Sequence, residues 1–148
     1  MIIRHKALVL VADGSKYVLL RNTGDLRNVT LSYEGGGDKQ NPSTKEQGSD
    51  KPGRAFSGVG TARSAMEGAD WHQIEEDRFA TVIAEMLAML ARACDFDELI
   101  VVAPPKSLAS LRKAFEPAVT SRIVAEIAKD LTKHPVAEIA EILSREGE

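Results

Sequence analysis

Asp13 closes the first apolar run of the chain and is followed by Gly14-Ser15, a placement that would suit the metal-binding carboxylate of a phosphodiesterase. Two-metal cleavage needs several convergent carboxylates holding ions about 4 Å apart. Glu75, Glu76 or Glu85 would supply a second one from a following helix. The fourth apolar run, however, ends in Ala103-Pro104-Pro105, with no carboxylate where such an enzyme would carry another. A hairpin turn is the simpler account of Asp13-Gly14-Ser15, because these side chains favour turns for local reasons.

A second constellation lies in a long polar segment. From Glu34 to Arg54 there is no apolar residue, and the glycine-rich run continues to about Ala69. Compact domains rarely keep an unstructured insertion beyond roughly 15 residues unless it is a lid, a binding loop or a linker. Residues 34–69 are therefore expected to form a flexible loop that does the protein's work. Within it, Lys51 to Met66 carries Lys51, Arg54, Arg63 and the aromatic Phe56 with no acidic residue. Cations of this kind track a phosphate backbone while an aromatic ring stacks on a base, so Arg54, Phe56 and Arg63 are candidate contacts to RNA. A flexible solvated loop explains the same composition. Gly35-Gly36-Gly37 is not a phosphate-binding loop, since no Gly-Lys-Ser/Thr follows at the required distance.

Lys106 and Ser107 form a third candidate, at the carboxyl end of the fourth apolar run where a helix is expected to start. Helix-start N–H groups, an ammonium and a hydroxyl together suit a phosphate or carboxylate, and open α/β sheets place ligands at such strand ends. Ordinary capping by Ser107 and a solvated Lys106 are the competing explanation. His72, beside Trp71 where the loop meets a helix, is the histidine best placed for acid or base work near neutral pH. The three histidines and the single Cys94 lack metal-ligand spacing, so no metal and no cofactor is expected.

These residues must be positioned by a sheet and helices. Ala7 to Ala12, Lys16 to Arg21 and Leu26 to Tyr33 read as a three-stranded meander, separated by Asp13-Gly14-Ser15 and Thr23-Gly24-Asp25. Ile74, Phe79, Val82, Ile83, Met86, Leu87, Leu90 and Cys94 recur at helical spacing, which places Cys94 on an apolar face as a buried thiol. Glu98 to Ala103 is a nearly continuous apolar strand of the kind covered on both faces. A helix capped by Ser107, a strand over Arg122 to Ala128 and a last helix with Pro135 at its first position complete the order βββαβαβα. That order predicts an α/β domain of ribonuclease H-like topology, a mixed five-stranded sheet with helices on both faces.

The chain has 148 residues, is 43% hydrophobic and carries a formal charge of -3. This suits one domain over residues 1–148 and excludes a globally basic nucleic-acid binder, so any RNA contact must be local. No apolar segment is long enough to span a bilayer, and the N-terminal run is cut short at Asp13. One cysteine forms no intrachain disulfide. A cytoplasmic protein without membrane insertion is expected.

Asp50-Lys51-Pro52-Gly53-Arg54-Ala55-Phe56, His72, Phe79, Leu99 to Lys106 with Leu108 and Leu111, and Lys129-Asp130-Leu131-Thr132 together resemble the bacterial host attachment protein family. The likeness covers essentially the whole chain. That family is named for a requirement in attachment of bacteria to host cells, and is distantly similar to the central domain of archaeal and eukaryotic class I peptide release factors. Those factors have a ribonuclease H-like fold and carry a catalytic Gly-Gly-Gln on a long mobile loop after the early strands, the position that residues 34–69 occupy here. The chain departs from them at the key tripeptide. Gly35-Gly36 is followed by Gly37, and Gln40 and Gln47 are out of register. The resemblance implies tRNA, RNA or ribosome binding without that hydrolysis, and an attachment role exerted indirectly. A metal-dependent nuclease, a hydrolase using His72 and a protein-interaction module remain the alternatives.

Overall fold

The computed structural model describes residues 3–38 and 68–146, with side chains from residue 73 onward in the second stretch. Its elements are β1 (Leu8–Ala12), β2 (Lys16–Asn22), β3 (Leu31–Asp38), α1 (Gly68–Arg92), β4 (Leu99–Val102), α2 (Pro105–Ala114), the one-turn α3 (Pro117–Thr120), β5 (Ile123–Ile127) and α4 (Val136–Arg145). They assemble into one five-stranded sheet of order β3-β2-β1-β4-β5. β1, β2 and β3 pair antiparallel, whereas β4 runs parallel to β1 and β5 parallel to β4. The expected α/β architecture is present, with α3 added between α2 and β5.

Apolar sequence explains the middle of the sheet. Every residue of β1 and β4 is buried, because central strands of a mixed sheet are covered on both faces. Alternation then divides their side chains between two cores. Leu8, Leu10, Leu99 and Val101 meet Phe79, Ile83 and Leu87 of α1 together with Leu108 and Leu111 of α2. Val9, Val11, Ile100 and Val102 face the other way onto Ile139 and Leu143 of α4. Helices therefore lie on both faces, α1 to α3 on one and α4 on the other.

The third strand departs from the expected Leu26 to Tyr33. Residues 23–30 are instead gathered into a turn, in which Asp25 Oδ1 accepts the Arg27 and Asn28 N–H groups, while Oδ1 of buried Asn22 at the end of β2 accepts those of Gly24 and Thr30. β3 consequently starts at Leu31 and absorbs Glu34 and Gly35-Gly36-Gly37, which sequence places in the loop. Gly37, Gly36 and Gly35 pair with Tyr17, Val18 and Leu19, then the register shifts to Tyr33 opposite Leu20, leaving Glu34 as the extra residue of a bulge. Backbone pairing needs no side chain, and at Gly36 a Cβ would stand 2.7 Å from the Tyr17 carbonyl oxygen.

Arg21 anchors this bulge. Its side chain, 12% exposed, donates from Nη2 to Glu34 Oε1 at 3.0 Å and to Asp95 Oδ2 at 2.6 Å. Nη1 donates to the Lys6 and Asp95 carbonyls. One guanidinium thus joins β2, β3 and the turn leading into β4.

Three further expectations are corrected. Helix α1 stops at Arg92, so Cys94 is not a buried helical residue; it is exposed in the following turn, at a left-handed φ of 57°. Ser107 does not cap α2, because Pro104 is the N-cap and Pro105 begins the helix, leaving Ser107 as the third helical residue. Pro135 likewise caps α4 from outside rather than opening it.

Candidate functional site

The carboxyl ends of β1 and β4 are neighbours, and the chain leaves them in different directions. β1 enters the tight Asp13-Gly14-Ser15 turn into β2, whereas β4 leads through Ala103-Pro104 into α2. Open sheets place ligands in crevices of this kind. Asp13, Lys106 and Ser107, all singled out by sequence, are brought to this crevice, and of the three helix glutamates named as a second carboxylate α1 contributes Glu76.

Asp13 is occupied by its own chain. Oδ1 accepts the Ser15 N–H at 2.7 Å, the Lys16 N–H at 2.8 Å and the Ser15 hydroxyl at 3.1 Å. Oδ2 faces the Thr132 hydroxyl at 2.9 Å, whose single proton is shared with Asp130 Oδ1 at 2.7 Å. Partial burial alone would push this carboxyl up. The hydrogen bonds from Ser15, Lys16 and Thr132 outweigh burial and hold it below the ordinary aspartate value. The carboxylate therefore staples the β1–β2 turn and fastens it to the loop between β5 and α4. Among the described residues, no three histidine, cysteine or acidic side chains converge as a metal site would require.

Glu76 approaches the same turn from the helix above. A Cβ on Gly14 would lie 3.2 Å from Glu76 Oε2, so the glycine lets backbone and carboxylate come close. Glu76 Oε1 is buried and accepts no hydrogen bond among the described residues, and Lys106 Nζ stands 3.9 Å from it. Lys106 remains 69% exposed with this carboxylate beside it. Ser107 lines the crevice beside Ser110, whose hydroxyl serves Asp77.

The cavity between Asp13, Gly14, Glu76, Phe79 and Ser107 has a volume of only about 10 Å³. That is the room needed by one water, far below the few hundred Å³ of a small-molecule substrate pocket. Among the described residues the crevice thus offers a surface cation at a helix start and no enclosed chamber.

The remaining sequence candidates fall beyond the described side chains. His72 belongs to α1, but its side chain is outside the described part, and Arg54, Phe56 and Arg63 lie outside the described residues altogether. Sequence reasoning missed Thr132 as the partner of Asp13. Its contact spans 119 positions, and the only local signal is the turn formed by Asp130 with the Thr132 N–H.

No curated protein matches the chain. Residues 6–143, which take in the whole sheet and the Asp13 crevice, match the model of bacterial archaeo-eukaryotic release factor family 12. The chain belongs to that family.

Proposed function

We propose that this protein is a cytoplasmic RNA-contacting factor that binds tRNA or the ribosome and does not hydrolyse peptidyl-tRNA by a Gly-Gly-Gln mechanism. Arg54, Phe56 and Arg63 form the principal contact in this reading, and Lys106 at the start of α2 meets an anionic group. The observation that carries the non-hydrolytic part is the placement of Gly35-Gly36-Gly37: these glycines are paired to β2 as strand and are followed directly by Asp38 rather than glutamine. Family membership supports the translation-linked partner. A requirement for attachment to host cells, which the sequence resemblance implies, would then follow indirectly from this activity.

The nuclease alternative is less well supported, because Asp13 Oδ1 already accepts three hydrogen bonds and a metal ion on Oδ2 would have to share that oxygen with the Thr132 hydroxyl or displace it. The test is affinity purification from gently lysed native cells, comparing wild type with an Arg54→Ala/Phe56→Ala/Arg63→Ala variant and with Lys106→Ala, with sequencing of co-purified RNA. Recovery of ribosomal RNA or tRNA that falls in the triple variant is expected. Recovery of protein partners alone would overturn the reading in favour of an interaction module, and Mg²⁺-dependent RNA cleavage lost in Asp13→Asn would overturn it in favour of the nuclease.

A further inference from the structure

We propose that the outer face of α1 is a self-association surface, on which two copies of this chain pack through an antiparallel pair of α1 helices. The inner stripe of α1 is spent on the sheet through Phe79, Ile83 and Leu87. Its outer side, together with the end of α2 and Glu116, forms an open groove of about 540 Å³, with the buried Ala84 and Ala88 in its floor, Ala114 in its wall and Met89 beside them. Met89 is 66% exposed, one of four large apolar side chains so placed among the described residues. A projecting flexible thioether next to an alanine-lined hollow on one face is a knob beside a hole, the arrangement that a two-fold interface uses twice.

Charge specifies the occupant. Glu85 and Arg92 are equally spaced about a point between Ala88 and Met89, so a two-fold axis there places Glu85 of one copy opposite Arg92 of the other, at both ends of the contact. The two positions are about 10 Å apart along the helix. Glu85 has no ion pair among the described residues, and Arg92 uses only Nη2 for Glu116, which leaves Nη1 and Nε to take a second carboxylate. The same register sets Met89 of each copy over Ala88 of the other. In exposed positions these pairs define orientation more than strength, while Met89 against the alanines supplies the apolar contact. An arbitrary partner would have no reason to match a pattern that is its own complement.

Sedimentation equilibrium of the full chain over about 1 µM to 1 mM, under reducing conditions because Cys94 is exposed, tests the proposal. A reversible monomer–dimer equilibrium is expected for wild type. Glu85→Arg and Arg92→Glu should each weaken it at least about tenfold, since each places like charges together. An equimolar mixture of these two variants should recover dimer, because the introduced arginine of one then meets the introduced glutamate of the other, while the native Arg92 and Glu85 that remain meet at the opposite end. Val124→Glu on the β5 edge, also an exposed apolar position, should leave the equilibrium unchanged. Wild type that stays monomeric across the range overturns the proposal, as does a dimer sensitive to Val124→Glu and indifferent to Glu85→Arg, or a failure of the mixture to recover. Unchanged far-ultraviolet circular dichroism confirms that each variant is folded.

Discussion

Replacing Asp13 by alanine removes the acceptor shared by the Ser15 and Lys16 N–H groups and the Ser15 hydroxyl, and it also cuts the tie to Thr132. Hydrogen bonds to a charged group contribute about 1.5–3 kcal/mol each when water cannot replace them. The Ser15 N–H is exposed and the Lys16 and Thr132 contacts only partly buried, so solvent recovers a share and the expected net loss is about 2–3 kcal/mol. Asp13→Asn keeps one oxygen for the turn and presents an amide to Thr132, whose proton can still go to Asp130. Its loss should be about 1 kcal/mol. Urea unfolding followed by circular dichroism, with equal slopes for all variants, measures both. The pH dependence gives an independent check of sign. Asp13 is depressed in the folded protein, so between its folded and unfolded values the unfolded chain binds more protons and stability rises with pH. Its contribution is present above the unfolded value of about 3.9 and is lost as pH falls through the folded one; Asp13→Asn should remove that part of the acid dependence. A loss below about 0.5 kcal/mol for Asp13→Ala, within the range of ordinary surface substitutions, would refute the role assigned to this carboxylate. So would equal losses for the alanine and asparagine variants.

Other positions make equally direct demands. Arg21→Ala should cost about 2–4 kcal/mol in the same assay, and Arg21→Lys should recover only a minority of it, because an ammonium cannot span Glu34, Asp95 and two carbonyls at once. Gly36→Ala forces a Cβ to 2.7 Å from the Tyr17 carbonyl, so a loss of about 1–3 kcal/mol is expected; wild-type stability would show that β3 does not lie as described. Cys94 should react fully with a thiol reagent in the native protein, and Cys94→Gly should gain up to about 1 kcal/mol in urea unfolding by relieving the left-handed backbone. A thiol that reacts only after unfolding would contradict its exposure.

Period and composition carry most of the fold. The all-apolar stretches at Leu8–Ala12 and Leu99–Val102 announce central strands, and the spacing of Phe79, Ile83 and Leu87 announces α1. Strand β3 is less legible because its pairing is made by backbone atoms, so Gly35-Gly36-Gly37 looks like loop to any reading based on side chains. Ser107 is misread as a cap because one turn chemistry defeats another: Pro104-Pro105 already supplies a helix start. Cys94 fits the helical period yet falls two residues past the helix end. At the crevice, the strand-end positions of Asp13 and Lys106 are visible in the sequence. The contact of Thr132 with Asp13 is not, since it depends on the fold bringing together residues 119 positions apart.

The alternation of β1 between two cores makes its neighbours strangers to one another. Val9 and Leu10 are bonded in sequence but face opposite sides of the sheet, and each belongs with the residue beside it in β4, Ile100 and Val101 respectively. Substitutions in this strand should therefore show epistasis with a period of two: Val9 with Ile100 and Ile139, Leu10 with Val101 and Ile83, and nearly independent effects for Val9 with Leu10. Evolution can then repack the side facing α4 without renegotiating the side that carries α1 and the crevice, so the two halves of the interior are free to drift at different rates.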